Sequence, residues 1–285
     1  MTAEPRSIDT HVHVIDAERI PPPDGPGNKP RPGERATARD LAGILAGHDV
    51  GHAVVVQLSG YGTDNRCVLD AVAQSNGRWR GIVSLPAEVG DRELDRLTES
   101  GVVGIRFNVA NLGTWAVLNH GRLMAAIGER GWVAQIQCPA ETLPAVGAVL
   151  EQATGPIIFD HLGLPDVTRG LDGPGLQWLL SFAQRQPGAC IKLSGAFRVS
   201  RKPYPHVDLD AFVGALLEAF PADRRIWGSD WPFVACEAAP SYGQTQALLR
   251  RWLQDEDDRR QALVMVPAWL FGFGSARDRQ PKVTA

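Results

Sequence analysis

Eight short runs rich in β-branched residues recur along the chain, at 7–14, 52–58, 80–85, 101–107, 132–136, 156–159, 189–193 and 225–228. Between them lie segments at 38–46, 66–75, 91–100, 121–130, 140–152, 175–185, 208–219 and 242–253. These carry apolar residues at i, i+3, i+4 spacing, the period of a helix with one face on a core. Thr37, with Asp40 three residues on, marks the start of the first helix as an N-cap. Runs such as Ala53-Val54-Val55-Val56 and Ile157-Ile158-Phe159 are apolar on both faces, and buried strands separated by helices form a parallel sheet. Eight such units in 285 residues match a (β/α)8 barrel, typically about 250 residues. A doubly wound sheet would use about five or six strands, and no GxGxxG follows the first strand. The expected fold class is α/β, a single (β/α)8 TIM barrel domain over 1–285.

Two segments break the rhythm. The stretch 19–35 holds Pro21, Pro22, Pro23, Pro26, Pro30 and Pro32 among mixed charges, which excludes helix and central strand. It is expected to be a long loop after the first strand, where barrels place substrate-binding or lid loops. A surface arm or an oligomer contact is the plainer alternative. The polar tail at 275–285 is expected to fray.

Composition narrows the function classes. A formal charge of −3 gives no bulk attraction to nucleic acid or an anionic membrane. No apolar run approaches the ~20 residues of a membrane helix, and the start MTAEPRSID lacks a basic flank followed by an apolar stretch, so no secretory signal is expected. Cys67, Cys138, Cys190 and Cys236 form no CxxC pair, which suits reduced thiols in a cytoplasmic protein. A cytoplasmic enzyme with neither nucleic-acid nor membrane partner is the expectation.

The sharpest local signal is Asp9-Thr10-His11-Val12-His13 in the first run. A strand period of two puts Asp9, His11 and His13 on one face. Two adjacent imidazoles are costly to bury unless they bind a metal, a substrate or a partner; two satisfied core histidines are the bland alternative. His161, in Phe159-Asp160-His161-Leu162-Gly163, ends the sixth run at the rim where barrels carry their catalytic groups. Asp230, in Trp227-Gly228-Ser229-Asp230-Trp231-Pro232, ends the eighth, and a carboxylate near several imidazoles suits a general base or a metal ligand. It could instead cap the following loop. Three more strand ends are rich in polar groups: Gln57 to Asn65, Arg106-Phe107-Asn108, and Lys192 to Arg198. An arginine in a barrel mouth takes a substrate carboxylate or an internal ion pair. His48, His52, His120 and His206 have no comparable setting.

Six segments in order, DTHVHV, QLSGYGTDN, GIRFN, FDHLGLPD, IKLSGAFRVS and RIWGSDWP, cover roughly residues 7–235. In these the chain resembles the amidohydrolase-related (amidohydrolase 2) hydrolase superfamily. The match is to the branch of 2-pyrone-4,6-dicarboxylate lactonase and related sugar-acid lactonases. The resemblance implies a (β/α)8 barrel whose catalytic residues are His11, His13, His161 and Asp230, with substrate contacts from Ser59, Tyr61, Arg106, Gln137 and Arg198. Metal-bound members of the wider superfamily add a His or a carboxylated Lys from strand four or five. The strand-five segment here reads Ala134-Gln135-Ile136-Gln137-Cys138 and offers neither. No metal is therefore expected to be required; if one is bound, a single divalent ion such as Zn2+ would sit on His11, His13 and Asp230. The second arginine of the pyrone-dicarboxylate lactonases is also missing, the segment reading Val109-Ala110-Asn111-Leu112-Gly113.

The expected function is a hydrolase that opens the ring ester of a carboxylate- or hydroxyl-bearing lactone with water activated by Asp230. The partner is a small-molecule lactone, and the oligomeric state is open. A lactone isomerase on the same scaffold, or a Zn-dependent decarboxylase or hydrolase of the wider superfamily, are the alternatives.

Overall fold

All eight predicted runs form strands, because each is short, rich in apolar and β-branched residues and bounded by helix signals. The computed structural model describes residues 6–274 apart from residue 32; the predicted tail at 275–285 and Pro32 lie outside the described residues. The strands are β1 (Ser7–Val12), β2 (Ile15–Asp16), β3 (Arg35–Ala36), β4 (Val50–Val56), β5 (Trp79–Val83), β6 (Val102–Asn108), β7 (Val133–Gln137), β8 (Ile157–Phe159), β9 (Ala189–Leu193) and β10 (Arg225–Trp227). Eight of them form one parallel sheet in the order β1-β4-β5-β6-β7-β8-β9-β10. Helices fill the connections, and the first, Ala38–Gly47, carries the predicted capping box between Thr37 and Asp40. Among the described residues, no helix is long and apolar enough to cross a membrane.

The sheet closes between β1 and the segment after β10. Thr10 Oγ1 donates to the Trp227 carbonyl at 2.7 Å, the Asp230 amide to the His11 carbonyl at 2.8 Å, and the His13 amide to the Trp231 carbonyl at 2.8 Å. Closure removes the edges and brings His11, His13 and Asp230 to one seam. The outer core lies between sheet and helices, while Ile8, Val54, Ile82, Ile158 and Ile226 fill the barrel's lower interior with Val266 and Phe271. The helix Val266–Phe271 was not expected; it seals the end where the strands begin, with Phe273 against His52 and Arg80 donating to the Gly272 carbonyl.

Strict alternation fails in β1. Ile8 faces the interior, and so does His11, three residues on. A register irregularity between Asp9 and Val12 supplies the extra residue. Asp9 thus does not share a face with His11, contrary to the period-two expectation. It turns outward, where its carboxylate accepts from the Ser229 amide at 2.9 Å and the Tyr242 hydroxyl at 2.8 Å.

The proline-rich loop is a strap laid on the rim. It runs between β2 and β3, which pair antiparallel through Ile15–Ala36 and Asp16–Arg35. The Asn28 amide donates to Ser59 Oγ at 2.8 Å, the Gly60 amide to the Asn28 carbonyl at 3.2 Å, and Arg31 to the Cys236 carbonyl at 3.1 Å. The approach is so close that a Cβ at Gly60 would lie 2.4 Å from the Asn28 oxygen. Ile20 is buried beneath the strap with Leu58, Tyr61 and Val234.

Burial pushes the Asp9 carboxyl up to about 6, against the opposing hydrogen bonds from Ser229, His11 and Tyr242. Its folded value lies above its ordinary 3.8, so the charged form is the one that needs its donors. Tyr242→Phe is expected to lower stability by about 1.5–3 kcal/mol at pH 7.5. At pH 5, where folded Asp9 is protonated, the loss should be smaller; equal losses in urea melts at the two pH values would contradict this account.

Candidate active site

The residues at the C-terminal ends of the strands build a pocket in two levels. The deeper level is ionic. Lys192 of β9 is fully buried, and its ammonium donates to the Thr10 carbonyl at 3.1 Å and to Gln135 Oε1 at 2.9 Å, and stands 3.1 Å from His11 Nδ1. These partners come from β1 and β7, which are not neighbours of β9 in the sheet, so the contacts cross the barrel interior. Asp160 stands beside the ammonium, with Oδ1 3.1 Å from Lys192 Nζ. Its Oδ2 accepts from Gln135 Nε2 at 3.0 Å and from Arg106 Nε at 3.2 Å. Arg106 also donates to the Gln57 carbonyl at 3.3 Å.

The upper level is the histidine cluster. His11 and His13 meet edge to face at 5.0 Å between ring centres, and His11 and His161 lie 4.7 Å apart. All three rings approach Asp230, whose Oδ1 is 3.4 Å from His13 Nε2 and 3.7 Å from His11 Nε2; His161 Nε2 is 3.9 Å from Oδ2. His13 Nδ1 faces the Val56 carbonyl at 2.8 Å and His161 Nδ1 faces Ser194 Oγ at 2.9 Å. Arg198 closes over the cluster, pairing with Asp230 Oδ2 and the Val234 carbonyl.

Local backbone features make this packing feasible. Asp230 and His161 adopt positive φ, +66° and +52°, conformations that a non-glycine residue holds only where its surroundings impose them. A Cβ at Gly228 would lie 2.6 Å from that of His11, and one at Gly195, itself at φ +62°, would lie 2.5 Å from His161 Nδ1. Both histidines thus sit in space that only glycine leaves free.

Burial holds all three histidines neutral. It lowers His11 well below its ordinary value, with the Lys192 ammonium adding to the effect, and it lowers His13 against the pull of Asp230. His161 falls to about 4, although Asp230 and Asp160 oppose the shift. Burial alone would raise the two carboxyls. The Arg198 guanidinium instead holds Asp230 well below the carboxylate range, and Lys192 with Arg106 does the same for Asp160.

The four predicted catalytic residues therefore come together, while the predicted substrate contacts divide. Gln137 is buried at the end of β7, with Oε1 lacking a well-aligned partner; beside it on β6, Asn108 Nδ2 is also unpaired. Arg106 and Arg198 are in internal ion pairs, Ser59 holds the strap, and Tyr61 is buried below it beside Cys67. Sequence reasoning took Arg106 as a substrate contact and gave Asp160 and Lys192 no role, so it missed that they form one network with Gln135. The available signal was parity: Arg106 and Asn108, and Gln135 and Gln137, are alternate residues on otherwise apolar strands.

His11, His161 and Asp230 present ligand atoms within 4.8 Å of one another, so these residues fit a single divalent ion. His161 stands in this set where His13 was expected.

The neutral state of His161 has a stability consequence. The unfolded chain takes up this proton near 6.5 and the folded chain near 4. The unfolded state binds more protons in that window, so stability falls as pH drops through it. The contribution is about 2–3 kcal/mol between pH 7 and pH 4. His161→Asn should show a shallower decline of the urea midpoint over that range; an unchanged slope would mean that His161 is not held neutral.

Comparisons with known proteins agree with this fold. The chain is 29% identical over 283 residues to 4-sulfomuconolactone hydrolase of Hydrogenophaga intermedia, covering 94% of this chain and 89% of that one. It is 28% identical to D-galactarolactone isomerase of Agrobacterium fabrum, covering 93% and 90%. A crystal structure of a putative 2-pyrone-4,6-dicarboxylic acid hydrolase from Pseudomonas putida superposes with a TM-score of 0.84 at 30% identity, covering 94% of this chain and 98% of that one. The family model described as amidohydrolase matches residues 8–273, and the chain belongs to that family.

Proposed function

We propose that this protein is a cytoplasmic hydrolase that opens the ring ester of a small lactone bearing a carboxylate or hydroxyl groups. The observation that carries this reading is a set of buried polar atoms without well-aligned partners, His11 Nε2, His161 Nε2 and Asp230 Oδ1, aimed at one point in the mouth. Such atoms cost free energy unless a ligand satisfies them. Two imidazoles beside a carboxylate match what ester hydrolysis needs, an oxyanion site next to a base. The relatives named for lactone chemistry support the same reading.

In this scheme Asp230 takes a proton from water as the water oxygen bonds to the lactone carbonyl carbon. The carbonyl oxygen becomes an oxyanion, accepting from Nε2–H of His11 and of His161. Ser194 Oγ, donating to His161 Nδ1, leaves that ring's proton on Nε2. One well-placed donor to an oxyanion contributes about 3–4 kcal/mol. His13 has a different part. Its Nδ1–H is given to the Val56 carbonyl, so its Nε2 is an acceptor beside Asp230 Oδ1, and the two acceptors together orient the water. When the tetrahedral centre collapses, the ring C–O bond breaks and Asp230 returns its proton to the ring oxygen, giving a hydroxy acid.

Arg198 serves both sides of the reaction: a substrate carboxylate draws it from Asp230 and frees the base. Arg106 has guanidinium N–H groups beyond those given to Asp160 and Gln57, and Gln137 and Asn108 offer contacts to hydroxyls. No metal is required by these steps. His11, His161 and Asp230 would hold a divalent ion if one binds, and it would polarise the carbonyl as a Lewis acid.

A pH-indicator screen over aldonolactones, muconolactones and pyrone carboxylates tests the proposal. Wild type should release protons with at least one class, and Asp230→Asn should lose roughly 100-fold or more in kcat. Silence across the panel from folded protein would refute it. In H2(18)O, hydrolysis places one solvent oxygen in the product; turnover without incorporation would instead identify a lactone isomerase.

A further inference from the structure

We infer that Lys192 is a positioning residue that fixes the proton of His11 on Nε2. A buried lysine in a barrel strand has three protons to place. The three well-aligned acceptors around this one are the Thr10 carbonyl, Gln135 Oε1 and His11 Nδ1, at 3.1, 2.9 and 3.1 Å. The first is an obligate acceptor. The second is oriented by its own amide, whose Nε2 donates to Asp160 Oδ2. The third proton therefore goes to His11 Nδ1.

The competing arrangement would put a proton on Nδ1 and give it to Asp160 Oδ1, 3.4 Å away. That contact is not a well-aligned hydrogen bond; Asp160 Oδ2 already accepts from Gln135 and Arg106, and the Lys192 ammonium faces Oδ1 at 3.1 Å as an ion pair. With Nδ1 taken, a neutral imidazole carries its proton on Nε2, the atom aimed at Asp230 and the mouth. Lys192 thereby makes His11 a hydrogen-bond donor toward substrate. The same ammonium opposes metal binding, because a protonated Nε2 has no lone pair to offer. The inference deepens the proposed lactone reading, which rests on this donor, yet its test requires no turnover.

The test is long-range 1H–15N correlation of 15N-histidine-labelled protein at pH 7.5, with His11 assigned by its loss in His11→Gln. In wild type, Nε2 should be the protonated nitrogen and Nδ1 the bare one. In Lys192→Met, which keeps the length of the side chain, the proton should move to Nδ1, facing Asp160. Affinity for Zn2+ alone, measured by competition with a chromophoric chelator, should then rise roughly 10-fold or more. A merely structural lysine would lower the melting temperature of the variant and leave the tautomer alone.

A protonated Nδ1 in wild type overturns the inference, and that spectrum decides the matter even if Lys192→Met does not fold. An unchanged tautomer or unchanged Zn2+ affinity in a folded Lys192→Met overturns it as well. A silent lactone panel beside a protonated Nε2 would refute the lactone reading and leave the role of Lys192 standing; turnover beside a protonated Nδ1 would do the reverse.

Discussion

A single carboxylate at the centre of the barrel, Asp160, holds the upper part of the interior together. It faces the Lys192 ammonium and the Arg106 guanidinium, all three side chains being buried. An ion group so far from water gains little net stability over a well-packed apolar core, while removal of one partner costs about 3–5 kcal/mol because the others are left uncompensated. Its value is geometric. Asp160, Lys192, Gln135 and Arg106 come from four consecutive strands or their ends, and their hydrogen bonds fix the direction of each side chain. His11 rests on this layer, so the reactive level inherits its order from the ionic one.

The two levels also separate two charge problems. Asp160 keeps its cations permanently, within a network that uses both of its oxygens. Asp230 has one cation, Arg198, on a short helix at the mouth (Ala196–Val199) with its side chain partly exposed. The deep pair is suited to stay and the shallow one to exchange partners, which is the division that a binding site with a base in it needs.

The barrel was legible because its strands are buried on both faces and thus read as largely apolar runs; 189–193 matches β9 residue for residue. His11, His13, His161 and Asp230 were legible because polar groups at strand ends stand out against such runs. Other features depend on contacts that local pattern does not encode. The register slip in β1 turned Asp9 outward, and only its partners Ser229 and Tyr242 reveal it. Lys192, Asp160 and Gln135 satisfy one another across the barrel, so each alone looks like an anomaly in a strand. The strap is pinned through the Asn28 backbone to Ser59, a bond that composition cannot show. The sealing helix Val266–Phe271 is a short apolar segment with a proline in its first turn, too brief to display a helical period.

The seam between β1 and the segment after β10 joins residues more than 200 positions apart, Asp9 with Ser229 and with Tyr242. Contacts of that span form late, since the entropy of closing so long a loop is met only when the intervening units are in place. His11 and His13 come from the first strand and Asp230 follows the last, so no partial barrel contains the cluster. Its assembly coincides with completion of the fold, and recovery of the cluster after dilution from denaturant should track the slowest folding phase of the chain.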